Sequence, residues 1–208
     1  SGLSATALHR ARNAWRGMRT EVIGGQLLDI SLEAAGSESV ELANSVNRYK
    51  TAAYTIERPL HLGASIAGAS EELIAAFRGY GQDIGIAYQL RDDQLGVFGD
   101  PAVTGKPAGD DLREGKRTEL LALALRRADE SDPQAAATLR KLIGHTSDPQ
   151  ELSRLAQIIA DSGAPEEIER RIASLTQSGL QHLRAARVDP AVTETLEQLA
   201  IKATARHK

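Results

Sequence analysis

The chain contains no cysteine, which excludes a disulfide framework, thiolate catalysis and cysteine-ligated zinc, and suits a reducing compartment. The expected location is therefore the cytoplasm. Aromatic residues make up only 3% of the sequence, too few for the stacking platforms on which single-stranded nucleic acid binding relies. There is no excess of positive charge either. Lysine and arginine number 25 against 28 aspartates and glutamates, a formal charge of −3, so no broad basic field exists to draw in nucleic acid or an anionic membrane. No nucleic-acid partner is expected. Long apolar runs are missing too: residues 120–125 are typical of the longest, far below the roughly 20 residues that span a bilayer. No transmembrane segment is expected, and the first twenty residues carry arginines rather than the apolar core of a signal peptide.

What is present is ordinary for a globular protein. The 208 residues are 41% hydrophobic and 25% charged, enough for one helical domain over residues 1–208 with a buried core. From Ser4, the residues Leu8, Ala11, Trp15, Met18 and Val22 recur at spacings of three and four and predict a long first helix with one buried stripe. After Gly36-Ser37 a second helical stretch starts near Glu38 and passes through Lys50, Thr51 and Tyr54, with Pro59 predicting a kink. Ser70 ahead of Glu71 and Glu72 reads as an N-cap, and the helix behind it extends to about Val97. Residues 99–117, rich in glycine with alternating acids and bases, read as a loop. Beyond it, Asp132-Pro133, Asp148-Pro149 and Asp189-Pro190 each pair a capping side chain with a proline suited to the first turn, and Ala164-Pro165 predicts a further start. No stretch alternates apolar and polar residues as a strand would. The fold class is all-α.

Polar residues interrupt the apolar pattern at a few places. Gln89, Asp92, Asp93 and Gly96 fall at helix offsets that share one face, and two adjacent carboxylates there repel each other unless a hard divalent cation with oxygen ligands sits before them. An Asp-Asp pair alone is more often a solvated helix end. The glycines of residues 99–117 permit close backbone approach, and Lys106 and Lys116 can supply charge to phosphate oxygens. It is not a nucleotide-binding Walker loop, because Gly105-Lys106 is followed by proline and no helix opens there. In the first helix Gln26 and Asp29 continue the face of Met18 and Val22 beside Gly24-Gly25, so an amide and a carboxylate are expected to point inward. In the second, Lys50, Thr51 and Tyr54 lie within one turn among alanines. Taken singly, each of these groups reads more readily as a satisfied structural hydrogen bond than as a catalytic group.

Taken together they carry a resemblance. The runs Gly25-Gln26-Leu27-Leu28-Asp29, Lys50-Thr51-Ala52-Ala53-Tyr54, Gln89-Leu90-Arg91-Asp92-Asp93, and Thr104-Gly105-Lys106 through Glu114-Gly115-Lys116-Arg117-Thr118 resemble, in order and spacing, the trans-prenyl diphosphate synthases, above all the actinobacterial geranylgeranyl and farnesyl diphosphate synthases. The resemblance extends over essentially the whole chain. It implies the isoprenoid synthase helical bundle, homodimerisation, and head-to-tail condensation of isopentenyl diphosphate with an allylic diphosphate, dependent on Mg2+, to give a short-chain prenyl diphosphate. Carried over residue by residue, it makes Asp92 and Asp93 the magnesium-binding motif, with Asp92 the direct ligand. Lys50, Lys106 and Lys116 become holders of the allylic diphosphate, with residues 99–117 an active-site loop. Gln89 and Thr51, with Tyr54 as a weaker candidate, become the groups that face the developing allylic cation. Gln26 and Asp29 become supports for Lys50.

Two departures stand out. Many members read Asp-Asp-x-x-Asp, whereas residue 96 is glycine, so a third carboxylate is missing. The first aspartate-rich motif and the isopentenyl diphosphate site are also not found in these 208 residues. The sequence opens on Ser1-Gly2 and runs directly into a helix, so it reads as the carboxy-terminal portion of a cut or trimmed polypeptide, with amino-terminal helices missing and no activity of its own. A non-catalytic partner subunit is disfavoured by the retained lysines, Gln89 and Asp92. A terpene cyclase is disfavoured by Gly105-Lys106 and Gly115-Lys116.

Overall fold

The structure, a computed structural model, describes residues 2–105 and 107–205. Among these residues there is no strand, and the helices run in the order α1 (Ala5–Ala35), α2 (Val40–Val46), a π-helical segment (Asn47–Glu57), α3 (Arg58–Ala67), α4 (Glu71–Phe98), α5 (Pro101–Thr104), α6 (Asp110–Glu114), α7 (Glu119–Ser131), α8 (Pro133–Leu142), α9 (Pro149–Asp161), α10 (Ala164–Ala185) and α11 (Pro190–Thr204). Starts follow the capping chemistry written in the sequence. Asp132 accepts from the Gln134 and Ala135 N–H groups, Asp148 from Gln150 and Asp189 from Ala191, each with proline in the first turn. Ser70 accepts from the Leu73 N–H at 3.3 Å.

Three local expectations change. Residues 99–117 hold the short helices α5 and α6 as well as turns. The signal for α5 was the same as elsewhere: Asp100 precedes Pro101 and accepts from the Ala102 N–H at 2.8 Å. The inward stripe of α1 is also not the large-residue stripe of Leu8 and Trp15. Those two side chains are 47% and 49% exposed, while Ala7, Ala11, Ala14 and Leu32 are buried and Gly25 meets neighbouring backbone. Small residues let a helix approach its neighbours closely, and that outweighed the tendency of bulky apolar residues to mark the core. Finally, the helix from Val40 to Ala67 does not kink at Pro59. Its middle is a π-helix in which the Arg58 N–H bonds the Ala53 carbonyl five residues back, and Val46 and Arg58 at its two ends keep right-handed helical dihedrals. Pro59 sits at the resumption of α geometry, in the first turn of α3, where its missing N–H is tolerated.

The chain forms two compact units. The first comprises residues 1–28, 45–89 and 172–206. Its core is built on Tyr80, Ile84, Leu183 and Ala200, with Ile56, Leu60, Phe77, Leu180, Val188 and Leu196 packed around them. The Tyr80 hydroxyl, which burial and the charge of Glu197 push up to about 12, donates to the Leu196 carbonyl at 2.7 Å. The second comprises residues 29–44 and 90–171. There α7 is buried on every side over residues 120–125, with Leu139, Ile143, Leu155, Ile159 and Ile168 also buried. Packing of α8 and α9 on α7 makes this core.

Within the second unit Glu119 is fully buried and accepts from Arg171, which also donates to Asn44 at 2.7 Å. Burial pushes the Glu119 carboxyl up to about 7; Arg171 opposes this, and the charges of Asp93 and Glu167 add to it. The unfolded chain therefore releases this proton near pH 4.5 while the folded chain keeps it to about 7. The stabilising effect of that proton is complete below about pH 4.5 and lost as the pH rises to about 7. Thermal melts of wild type and Glu119→Gln across this window should show a steeper fall in Tm with rising pH for wild type. Parallel curves would count against a raised Glu119 pKa.

Candidate active site

The chemistry-bearing residues fall into one group in each unit. In the first unit the π segment carries Lys50, Thr51 and Tyr54. Lys50 and Thr51 are half-buried, whereas Tyr54 is 52% exposed. The Thr51 hydroxyl donates to the Gln89 amide oxygen of α4 at 2.8 Å, joining residues far apart in sequence. Close packing supports this pair. The backbone of the π segment lies directly against α1 and α4 at glycines: a Cβ on Gly25 would lie 2.5 Å from the Lys50 nitrogen, and one on Gly85 2.5 Å from the Ala52 Cα. Below them the carboxylate of Glu57, 1% exposed, pairs with Arg48 at 2.5 Å and Arg78 at 2.9 Å. Arg58, beside it, pairs with Glu21 at 2.5 Å. Asp29 is buried as expected, but Gln26 is exposed and does not point inward. It lies about 100° round α1 from Gly25, on the flank of the small-residue stripe. An apolar cavity of about 400 Å³, bordered by Ile56, Leu60, Tyr80, Ile84, Leu196 and Leu199, is lined by none of the residues singled out from the sequence.

In the second unit the end of α4 is fixed by Arg91, which donates to Gln94 at 2.7 Å and makes a two-pronged contact with Glu169. Gln94 in turn donates to the Pro165 carbonyl at 3.1 Å. Asp92 is half-buried on this helix. Asp93 is 1% exposed and receives the Lys116 ammonium at 2.8 Å; the same ammonium reaches Asp111 at 3.3 Å. Burial disfavours the charged lysine, but the carboxylates of Asp93 and Asp111 outweigh it and hold its pKa above the ordinary lysine range. Asp111 was not singled out from the sequence. Its carboxyl is pushed up to about 6, chiefly by burial, against the pull of Lys116. The signal that could have found it is the glycine at 96. A Cβ on Gly96 would come within 2.7 Å of Asp111 Oδ1, so the Asp111 carboxylate fills the space a side chain at 96 would take. Lys106 lies outside the described residues.

Among the described residues no three acidic or histidine side chains converge into a protein-only metal cage. Magnesium keeps several waters and takes one or two carboxylates together with substrate phosphate oxygens, and the half-buried carboxylate of Asp92 fits such a donor set. Asp93 is engaged by Lys116.

Residues 6–161 match the model of the polyprenyl synthetase family. The chain belongs to that family. A geranylfarnesyl diphosphate synthase from Aeropyrum pernix is 40% identical over 129 residues, covering 61% of this chain and 40% of that protein. A geranylgeranyl diphosphate synthase from Mycobacterium tuberculosis is 39% identical over 113 residues, covering 54% of this chain and 32% of that protein. Among solved structures, geranylgeranyl pyrophosphate synthase from Corynebacterium glutamicum, complexed with isoprenyl diphosphate and magnesium, superposes with a TM-score of 0.97 at 63% identity, covering 99% of this chain and 58% of that one. The all-α isoprenoid synthase fold is thereby established for these residues, which span 32–40% of the two curated relatives and 58% of the structural one.

Two stability predictions arise from the second unit. Lys116→Met leaves two buried carboxylates without their cation and should cost about 3 kcal/mol in chemical denaturation, read as a lower midpoint at unchanged slope. Gly96→Asp, which restores the commoner family motif, should destabilise because Asp111 is in the way. Adding Asp111→Gly should then recover most of the loss, and equal stability of Gly96→Asp and wild type would refute the steric account.

Proposed function

We propose that the whole protein to which this chain belongs is a magnesium-dependent prenyltransferase that condenses isopentenyl diphosphate with an allylic diphosphate into a short-chain trans-prenyl diphosphate of fifteen or twenty carbons. The single observation that carries this reading is the Thr51–Gln89 pair beside Lys50, in a chain of the polyprenyl synthetase family. When an allylic diphosphate ionises, the leaving group departs as an anion and the carbon left behind becomes cationic. A half-buried lysine at position 50 supplies charge to the departing diphosphate. One residue on, two oxygens held 2.8 Å apart, a threonine hydroxyl and an amide carbonyl, present the negative ends of their dipoles without bearing a full charge that would be alkylated.

Magnesium bound through Asp92 would supply Lewis-acid neutralisation of the diphosphate. Lys116 enters this scheme as the brace that sets Asp93 and Asp111, while Lys50 and Lys106 hold the allylic diphosphate. Residues 99–117 act as the segment that keeps water from the cation. No protein nucleophile is required. Isopentenyl diphosphate attacks through its double bond, and the proton it loses goes to the released diphosphate. Homodimer formation is part of the same proposal, as in the reading of the sequence.

The test is a product assay on the protein encoded by the complete reading frame, with isopentenyl diphosphate, magnesium and each short allylic diphosphate, read by mass spectrometry. A linear fifteen- or twenty-carbon diphosphate is expected. Diphosphate binding without product would favour a non-catalytic partner subunit, and a cyclised hydrocarbon a terpene cyclase. Lys50→Ala should lower kcat by on the order of 100-fold or more, and a wild-type rate for that variant would remove Lys50 from the reaction.

A further inference from the structure

The π segment packs on α4 in a register that α-helical geometry cannot supply. Glu57 meets Gly81, where a Cβ would lie 2.7 Å from the Glu57 nitrogen, and Ala52 meets Gly85. Thr51 then meets Gln89. Along α4 these positions are four apart, one α turn per step, so they share a face. Along the π segment the step from Glu57 to Ala52 is five residues. In an α-helix five residues rotate by about 500°, well past one turn, so if Glu57 faced α4, Ala53 rather than Ala52 would fall on Gly85. With bonds reaching five residues back, as from Arg58 to Ala53, the segment turns about 80° per residue, so Ala52 falls only about 50° from the face of Glu57 rather than about 140°. The wider turn therefore decides that a hydroxyl-bearing residue, Thr51, and not the alanine beside it, arrives at Gln89.

This register depends on contact between backbones. Ala52 and Ala53 are fully buried, and Gly85 leaves no room for even a methyl group against Ala52. We propose that Gly85 is a positioning residue for the prenyl transfer reaction: by admitting the Ala52 backbone against α4, it fixes the π register that sets Thr51 on Gln89. Gly81 and the ion pairs of Glu57 anchor the same register one turn away. A methyl group at 85 pushes the segment off α4 and moves the Thr51 hydroxyl away from the amide, while the helices themselves persist.

The proposal rests on the assignment of Thr51 and Gln89 above, and a double-mutant cycle in the complete protein separates the two. Thr51→Val, Gly85→Ala and the double variant are compared for kcat, KM of the allylic diphosphate, helical circular dichroism and Tm. Gly24→Ala, whose new Cβ meets nothing within 4 Å, serves as the helix-glycine control. Gly85→Ala should reduce kcat on the order of 100-fold, as small misplacements do, with a smaller change in KM. In the double variant kcat should fall no further than in the worse single one. If Thr51→Val lowers kcat but Gly85→Ala does not, or if the two losses multiply, the Gly85 assignment falls alone. Full activity of Thr51→Val overturns both. Should Gly85→Ala not fold, deletion of Ala53 gives an independent test. Five residues of α-helix turn through about the same angle as six of π-helix, so the shortened segment keeps Thr51 at Gln89 in α geometry. The deletion variant should keep kcat within about tenfold, and a folded but inactive deletion variant would overturn the proposal.

Discussion

Contact of helix backbone with helix backbone is the constraint on which the first unit depends. A π-helix has poorer hydrogen-bond geometry than an α-helix and is rare beyond a single turn, so its neighbours must supply what its own bonds do not. Here three glycines on two helices, Gly25, Gly81 and Gly85, bring α1 and α4 onto its main chain, and two of its four buried residues are the alanines Ala52 and Ala53. The small-residue stripe of α1 is part of the same arrangement, and Leu8 and Trp15 lie off it.

Charge is organised differently in the two units. In the first, Glu57 is fully buried with two arginines beside it, a grouping that costs desolvation but would cost more if either partner were lost. In the second, one lysine serves two buried carboxylates, Asp93 and Asp111, and one arginine serves Glu119. Of these carboxylates Asp93 is the sequence neighbour of the half-buried Asp92, so the acidic end of α4 is partly neutralised by the protein's own Lys116.

Much of this was legible in the sequence, and the failures have physical causes. Helix class and nearly every helix start followed from capping residues and prolines, which act locally: Asp132, Asp148 and Asp189 each bond N–H groups within three residues. The identities of Lys50, Thr51, Gln89 and Asp92 were legible as polar interruptions of an apolar pattern and by resemblance. What was not legible depends on partners distant in the chain. Whether residues 47–57 wind as α or π is set by Gly81 and Gly85, and the hydroxyl-to-amide bond of Thr51 reaches 38 residues along the sequence. Asp111 stayed hidden because the space it fills belongs to Gly96 on another helix. Gln26 misled because each step of four from Met18 through Val22 turns the helix about 40° past a full turn, which carries Gln26 off the buried stripe on which the half-buried Met18 lies.

The first unit is drawn from three separate stretches of chain, residues 1–28, 45–89 and 172–206, while most of the second is the single stretch 90–171. The Tyr80 hydroxyl bonds a carbonyl 116 residues further on. During synthesis, which proceeds from the amino terminus, the helices of residues 90–171 can pack on one another as soon as they emerge. The π segment and its neighbours must wait for α11, and with loop closure over so long a span their core is completed after that of residues 90–171. The residues assigned to the allylic cation thus belong to a part of the fold that closes only once the whole of the second unit's main stretch has been made.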